Sequence, residues 1–196
     1  MFENYLKLLY RNLLKNRVFS IINILGLAIG IGCSILILMW VQDELSYDRF
    51  HSNYRQLYRL VLKSPLIEVA ATSPPLAATI KQEVPQVEQT VRVMTASMTF
   101  AYNDVSFNEK HGIFADSNFL NVFSFPLLAG DRDSLLARPN TIILTQKLVQ
   151  KYYNGLNPIG TTITINNREK FKVTGVLADL PTNSHLQFDY IIPMAQ

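Results

Sequence analysis

The most marked hydropathy pattern in the chain is a long apolar run near the N-terminus. Residues 18–42 carry no formal charge, and those from Val18 to Val41 are predominantly apolar. A helix of that length extends about 36 Å, enough to cross roughly 30 Å of hydrocarbon with some tilt. A buried core helix rarely runs so far without a charge on any face. We therefore predict a transmembrane helix at residues 18–41.

The stretch before this run has an amphipathic pattern. Lys7, Arg11 and Lys15 recur at steps of four along one helical face. Apolar side chains recur at helical spacing on another face, at Phe2, Tyr5, Leu6, Leu9 and Leu13. We predict that residues 1–17 form a basic amphipathic helix lying in the cytoplasmic interface of the membrane. A simple extension of the membrane helix is the alternative.

Residues 42–196 are long enough to bury a core, and their pattern predicts both helices and strands. Helices are predicted to continue through residues 43–60 and to form at 73–85, with Ser73 as N-cap, 117–125 and 146–154. Strands are predicted at 57–63, 86–94, 140–145 and 184–193. Hairpins are predicted about Asn103-Asp104 and Asn166-Asn167, and a turn at 129–131. Without a regular βαβ repeat, this order predicts an α+β domain with a mixed sheet and packed helices.

Charge is distributed unevenly around the apolar run. The chain has a net charge of +3, and the whole excess lies before residue 18, because the part after residue 42 is balanced. The basic residues before the run are Lys7, Arg11, Lys15 and Arg17, and the acidic residues soon after it are Asp43, Glu44 and Asp48. The positive-inside rule then predicts a cytoplasmic N-terminus and an exported domain, with the basic residues and Trp40 at the membrane interfaces. A balanced domain argues against nucleic-acid binding.

The apolar run has two rival interpretations. A cleaved signal peptide has a shorter apolar region and a small-residue cleavage site, neither of which is present here. Cys33 lies in a stretch that faintly resembles a lipoprotein processing site, but apolar residues continue after it. An uncleaved anchor is therefore preferred. Because Cys33 is the only cysteine, no internal disulfide can form.

Small residues lie at regular spacing within the predicted membrane helix. Gly26 and Gly30 are four apart, with Ala28 and Gly32 beside them. Such small-xxx-small spacing lets another helix approach closely. We predict that Gly26 and Gly30 lie at a helix-packing surface.

The sequence predicts no catalytic, cofactor-binding or metal site. The three histidines, His51, His111 and His185, are not at metal-ligand spacing. No phosphate-binding glycine loop is present outside the apolar run. On the predicted strand 184–193, His185 and Asp189 share a face without converging on a nucleophile, and Ser184 is only their neighbour in sequence. A membrane-tethered hydrolase is therefore the least favoured hypothesis.

Three stretches together resemble a known family. They are residues 16–51, "NRVFSIINILGLAIGIGCSILILMWVQDELSYDRFH", residues 139–165, "PNTIILTQKLVQKYYNGLNPIGTTITI", and residues 173–190, "VTGVLADLPTNSHLQFDY". In order and approximate spacing they are similar to the N-terminal portion of MacB/FtsX-type ABC transporter permeases. The resemblance covers the first membrane helix and the MacB-like periplasmic core domain, here residues 42–196.

The resemblance implies a function that spacing alone does not show. It implies an inner-membrane permease that pairs with a second permease half and a cytoplasmic ABC ATPase, which carries the ATP and magnesium. Hydrolysis would move the membrane helices and so the periplasmic domains, which export antibiotics or peptides, extract lipoproteins or control other envelope proteins of the periplasm or outer membrane. The implied stalk between membrane and periplasm is "QDELSYDRF", with Asp43, Glu44, Tyr47, Asp48 and Phe50. An ordinary linker at the membrane exit is the alternative for these residues.

The chain departs from the family pattern in its length. It ends at "IIPMAQ" without further membrane helices, and the connection at residues 62–75 is short, so we expect an incomplete periplasmic domain. The chain is then either a fragment of a permease or a truncated product. The competing hypothesis is a single-span, membrane-anchored periplasmic binding or adaptor protein.

Overall fold

The computed structural model of the protein describes residues 2–65, 68–102, 105–132 and 134–194. By its internal contacts the chain divides into two units, Met1–Tyr47 and Asp48–Gln196. The first unit is helical, and the second contains the sheets.

The N-terminal unit consists of two helices, α1 (Phe2–Lys15) and α2 (Arg17–Ser46). α1 agrees with the predicted amphipathic helix. α2 contains the predicted span and continues to Ser46, and none of its residues is buried within the chain. Among the described residues, only α2 is long and apolar enough to cross a membrane by length and composition.

The C-terminal unit is built on a seven-stranded mixed sheet. Its strands are β3 (Val93–Tyr102), β4 (Val105–Ala115), β5 (Leu127–Gly130), β6 (Thr141–Thr145), β7 (Thr162–Ile165), β8 (Glu169–Leu177) and β9 (Tyr190–Pro193). The order is β5-β8-β6-β9-β4-β3-β7, and β7 also pairs with β8. The sheet therefore closes on itself, with β5 extending one side of β8. Two pairs are parallel, β4 with β9 and β6 with β8, which confirms the predicted α+β fold with a mixed sheet.

The remaining elements are short. A two-stranded sheet pairs β1 (Leu62–Lys63) with β2 (Glu68–Val69), and the helices are α3 (Leu76–Glu83), α4 (Phe119–Val122) and α5 (Gln146–Tyr153). A single 3-10 turn occupies Tyr54–Gln56.

Side chains on both faces of the sheet are buried, because alternate residues of a strand point in opposite directions. In β6, Ile142 and Leu144 join one core cluster, which includes the buried face of α5. Ile143 joins a second cluster, which is rich in phenylalanine and includes Phe119 from α4. Burial on two sides explains why the three central residues of β6 are all aliphatic.

The β7–β8 hairpin confirms the prediction made from Asn166-Asn167. Both residues have positive φ, 51° and 58°, which a tight hairpin turn requires and asparagine tolerates. The other predicted hairpin also forms, since β3 pairs with β4 from Tyr102 and Val105 onward. Its turn, Asn103-Asp104, lies outside the described residues.

Glycine at position 112 makes room for an aromatic ring. Gly112 pairs with Tyr190 in the parallel β4–β9 ladder, and a Cβ on Gly112 would collide with the Tyr190 ring. Tyr190 is fully buried and contacts Phe100 at a centroid distance of 4.6 Å. A side chain at position 112 would displace this part of the core.

Several predicted elements are wrong in extent. The helix predicted through residues 43–60 ends at Ser46, because Asp48 adopts a left-handed conformation (φ 56°) that a helix cannot continue through. Only Leu62–Lys63 of the strand predicted at 57–63 is extended and paired, because β2 supplies just two partner residues. The strand predicted at 86–94 begins at Val93, after a turn at residues 85–86.

Three smaller corrections concern ends of elements. Helix α3 forms, but the Leu76 N–H donates to the backbone carbonyl of Ser73, so the Ser73 side chain is not its cap. Ala129 and Gly130 end strand β5 instead of forming a turn. The strand predicted at 184–193 begins only at Tyr190. The preceding loop is closed by the Gln187 side chain, whose amide donates to the carbonyl oxygens of Pro181 and Ser184.

Candidate functional site

The C-terminal unit begins with a short segment that is bonded to two distant parts of the same unit. We call residues 48–52 the anchor segment. α2 ends at Ser46, so a single residue, Tyr47, connects the end of that helix to the anchor segment. The last turn of α2 is closed by the Ser46 hydroxyl, which donates to the Asp43 carbonyl at 2.7 Å.

Asp48 attaches the anchor segment to the loop at residues 183–185. Its backbone N–H donates to the Asn183 carbonyl at 2.9 Å. One carboxylate oxygen accepts from the Ser184 hydroxyl and from the His185 backbone N–H, both at 3.1 Å. The other oxygen lies 2.7 Å from His185 Nδ1. Both carboxylate oxygens and the backbone of Asp48 are therefore used in one contact.

This arrangement explains the acidity of Asp48. Partial burial alone would raise the pKa of its carboxyl, but the hydrogen bonds from His185 and Ser184 outweigh that effect and lower the pKa below its usual value. The carboxylate is thus the form that the loop binds. Protonation would weaken the contact.

The next residues of the anchor segment pack among phenylalanines that precede β5. The Phe50 ring lies 5.6 Å from Phe125, and the His51 ring lies 5.0 Å from Phe125 and 5.3 Å from Phe123, measured between centroids. Phe50 is partly buried and belongs to the phenylalanine-rich core cluster. His51 is only 2% exposed. Two residues of the anchor segment, Phe50 and His51, are therefore packed into the core of this unit.

Polar contacts fix the same segment to Ser124. The Ser124 backbone N–H donates to His51 Nδ1 at 3.0 Å. The Ser52 N–H donates to the Ser124 hydroxyl at 3.1 Å, and the two serine hydroxyls are 2.7 Å apart. Burial lowers the pKa of His51, although the nearby Asp48 charge partly opposes this. His51 is thus held as a neutral ring that accepts a hydrogen bond.

The two attachment points meet in one cluster. Phe188 follows the loop that binds Asp48, and its ring lies 5.1 Å from Phe125. The next residue, Asp189, accepts the Thr145 N–H through its carbonyl and donates its own N–H to the His111 carbonyl. β9 then starts at Tyr190. The anchor segment is therefore linked through a few contacts to the central strands of the sheet.

The structure divides the predicted stalk residues into two groups. Asp48 and Phe50 lie in the anchor segment with the contacts described above. Asp43 and Glu44 are exposed near the end of α2, and Tyr47 follows that helix. The function of all five as a stalk stays a prediction.

The predicted membrane-facing residues all lie in the N-terminal unit. Lys7, Arg11 and Lys15 are on α1, Arg17 begins α2, and Trp40 is exposed on α2. In the part of the chain that the structure describes, and apart from the backbone of α2 itself and the adjacent residues, nothing lies within 4 Å of a Cβ placed on Gly26 or Gly30. Their contact with lipid or with another helix stays a prediction.

Sequence reasoning missed the partners of the histidines. His185 binds Asp48, whereas Asp189 pairs with Lys147 at 3.0 Å, so the expected shared face of His185 and Asp189 does not occur. Asp48 and His185 are 137 positions apart, and no spacing rule connects them. Within the described ranges, no group of three His, Cys, Asp or Glu side chains is arranged to hold a metal ion.

A second buried polar cluster joins α5 to β4. Glu109 is 7% exposed and accepts from Lys151 Nζ and from the Tyr152 hydroxyl, each at 2.6 Å. Burial, followed by the bond to Glu109, raises the pKa of Tyr152. Lys151 Nζ also lies 4.3 Å from the centroid of the Phe107 ring. Because its members satisfy one another, this cluster is a structural clamp.

A match to a protein-family model identifies the family of this chain. The model described as the MacB-like periplasmic core domain matches residues 20–196, nearly the whole chain. The chain belongs to the MacB-like periplasmic core domain family. The resemblance to MacB/FtsX-type ABC transporter permeases is thereby confirmed. The matched residues include most of α2, the candidate membrane helix, and the whole C-terminal unit.

Three solved structures are similar to this chain, and the first two of them share its fold. One is a domain of a protein described as a permease, from Porphyromonas gingivalis. The two sequences are 27% identical, the matched region covers 65% of this chain and 54% of that domain, and the TM-score is 0.58. The extracellular domain of the noncanonical ABC-type transporter YknZ from Gram-positive bacteria is 18% identical, covers 62% of each chain and has a TM-score of 0.50. The periplasmic region of MacB from Actinobacillus actinomycetemcomitans is 19% identical in sequence. The matched region covers 60% of this chain and 52% of the MacB region, with a TM-score of 0.47.

The chain spans between 52% and 62% of the length of these three structures. Comparison with curated proteins gave no match.

Proposed function

We propose that this chain is the N-terminal part of a permease subunit of a MacB/FtsX-type ABC transporter. A cytoplasmic ABC ATPase binds and hydrolyses ATP with magnesium, and a second permease half completes the membrane part. This chain performs no catalysis. Its domain receives the movement that the ATPase produces and uses it to export or extract a substrate of the antibiotic, peptide or lipoprotein class.

The observation that carries this proposal is the anchor segment. Only Tyr47 stands between the end of α2 and Asp48, whose backbone and carboxylate are both bonded to residues 183–185. A displacement passes from one body to another more completely when the connection between them has little slack. A flexible linker of many residues would absorb a shift of a few ångströms at the end of the helix. A single connecting residue followed by an anchored one transmits it.

The second half of the anchor supports the same proposal. Phe50 and His51 are inserted in the phenylalanine cluster that also contains Phe125 and Phe188. Side chains in a close-packed core shift together instead of deforming independently. A displacement of the anchor segment would therefore reach β9 and its neighbours in the sheet.

We further propose that the chain is an inner-membrane protein with its N-terminus in the cytoplasm and residues 42–196 in the periplasm. The support is the basic flank of α2, Lys7, Arg11, Lys15 and Arg17, together with the positive-inside rule. In this orientation α1 lies on the cytoplasmic surface, where anionic lipid attracts its basic face.

Co-purification and coupling test the proposal together. The protein is expressed from its own operon with an affinity tag, and membranes are solubilised in mild detergent. An ABC ATPase should co-purify. Asp48→Ala should retain the ATPase and its ATP hydrolysis but lose most of the transport activity in cells, because the anchor no longer holds.

The control is Glu88→Gln, which removes a charge from an exposed position outside the anchor segment. It should leave both association and transport unchanged. Failure to recover any ATPase would contradict the permease assignment. Full transport by Asp48→Ala would contradict the role of the anchor segment while leaving the assignment intact.

A further inference from the structure

His51 is held in the protein in one specific protonation state. Its Nδ1 atom accepts the Ser124 backbone N–H at 3.0 Å. A ring nitrogen that accepts a hydrogen bond carries no proton, so the ring is neutral with its hydrogen on Nε2. The ring is 2% exposed, and its centroid lies 4.0 Å from Phe50, 5.3 Å from Phe123 and 5.0 Å from Phe125.

Protonation is incompatible with this position. It would turn Nδ1 into a donor that faces the Ser124 N–H, and two donors repel. It would also bury a positive charge among apolar rings, which costs free energy. The charged imidazolium would therefore leave the cluster, and the Ser124 N–H would be exposed to solvent.

The ionisable groups around the ring do not remove this penalty. Asp48, in the same segment, favours the charged ring, but burial has the larger effect on the pKa of His51. Residues 119–125 contain no ionisable side chain. His185, from the loop at 183–185, is bonded to Asp48, and Arg49 is exposed. The contact between His51 and Ser124 is therefore acid-sensitive.

The other half of the anchor segment responds differently to mild acid. A protonated His185 ring still donates from Nδ1 to the Asp48 carboxylate and forms an ion pair with it. The Asp48 carboxyl has a lowered pKa and stays ionised under these conditions. Mild acid thus weakens one attachment and preserves the other.

We propose that the anchor segment is an acid-sensitive latch, in which protonation of His51 releases residues 50–52 from residues 123–125 while Asp48 stays bound to residues 183–185. The chain would then pivot about Asp48. If the proposed function is correct, on which this consequence rests, acidification of the compartment that contains the domain loosens the coupling between α2 and the sheet.

The sign of the pH effect follows from linkage. Because the pKa of His51 is lower in the folded protein than the usual value of 6.5, the His51 contact is fully stable above that value. Its stability falls as the pH drops below 6.5, since the released ring binds a proton that the bound ring does not. Between pH 7.5 and pH 5.5 this linkage increases the opening equilibrium by at most about tenfold.

Hydrogen exchange of the full chain in lipid nanodiscs tests the latch. The protection factor of the Ser124 amide, corrected for the intrinsic pH dependence of exchange, should fall by up to about tenfold from pH 7.5 to pH 5.5. In His51→Asn, the amide oxygen can accept the same hydrogen bond but does not titrate, so the protection should not depend on pH. His111→Asn, a change at an exposed histidine outside the anchor, should keep the wild-type response.

A second measurement uses the wild-type chain and so does not depend on whether His51→Asn folds. Histidine ring signals of the wild-type chain, followed by NMR during an acid titration, should show one imidazole that titrates clearly below a free ring. The absence of any imidazole that titrates below a free ring would overturn the latch, as would equal Ser124 protection at both pH values or a pH response retained in His51→Asn. These readouts are local, so they succeed or fail independently of ATPase co-purification and transport.

Discussion

Substitutions at Asp48 separate the side-chain and backbone contributions to the anchor segment. The carboxylate accepts three hydrogen bonds, one from Ser184 and two from His185. Hydrogen bonds to a charged group are worth about 1.5–3 kcal/mol each when one partner is removed. The Asp48 side chain is 34% exposed and two of the bonds share one partner, so we take roughly 3 kcal/mol for all three.

The backbone adds a second contribution. Asp48 has φ 56°, a left-handed conformation that costs alanine about 1 kcal/mol and glycine almost nothing. Asp48→Ala should therefore destabilise the anchored state by roughly 4 kcal/mol and Asp48→Gly by roughly 3 kcal/mol. Asp48→Asn tolerates the backbone and keeps an acceptor for Ser184, so we expect a loss of about 1–2 kcal/mol.

The assay is hydrogen exchange at the His185 amide, combined with thermal unfolding of the full chain in detergent. Loss of roughly 3 kcal/mol corresponds to a fall in protection of about two orders of magnitude at this amide. The melting temperature should fall by up to about 2–4 °C per kcal/mol, least in Asp48→Asn and most in Asp48→Ala. Equal effects of glycine and alanine would refute the backbone argument. Unchanged His185 protection in Asp48→Ala would refute the anchor itself.

Four other changes have defined outcomes. Gly112→Ala should destabilise the C-terminal unit by about 3 kcal/mol or more, seen in the urea midpoint, because the new Cβ collides with the Tyr190 ring; a neutral result would mean that the ring has room to move. Glu109→Gln should cost about 1–2 kcal/mol in the same assay through loss of the charged contact with Lys151, and a stabilised variant would contradict the clamp. Below about pH 4 the difference in stability between wild type and Asp48→Asn should shrink. The lowered pKa of Asp48 contributes stability that is fully present above pH 3.8 and is lost as the carboxylate is protonated. A difference in melting temperature that stays constant in acid would contradict this. When the four basic residues before the span are changed to glutamate, topology reporters should show a weakened or inverted membrane orientation; these residues are Lys7, Arg11, Lys15 and Arg17. An unchanged orientation would mean that the downstream domain determines the topology.

Local rules were sufficient for the elements whose stability is local. The uncharged run at residues 18–42 predicted the core of α2, and Asn166-Asn167 predicted a hairpin turn that needs two residues at positive φ. The stretch at residues 140–145, with three consecutive aliphatic residues at its centre, predicted the buried strand β6. In each case the signal is a property of adjacent residues, so a short window of sequence contains it. The α+β class follows from the order of these elements.

The same rules failed where a distant contact overrides local preference. Apolar residues at helical spacing favoured a helix through residue 60, but the bonds from Asp48 to residues 183–185 and the packing of Phe50 end it at Ser46. The partners of Asp48 and His51 lie more than 70 positions away along the chain. No periodicity in the sequence reveals pairs of residues that are so far apart along the chain.

The sequence by itself therefore determined the long apolar helix that is the candidate membrane span, its basic flank, the class of the fold and, through its resemblance to known permeases, the family. Only the tertiary structure decided that the sheet closes through β7 and β8, and that the chain leaving α2 is bonded at once into the folded domain. The reason is physical. Hydropathy and turn propensity act between neighbours in the chain, whereas closure of a sheet and the hydrogen bonds of Asp48 depend on residues that only folding brings together.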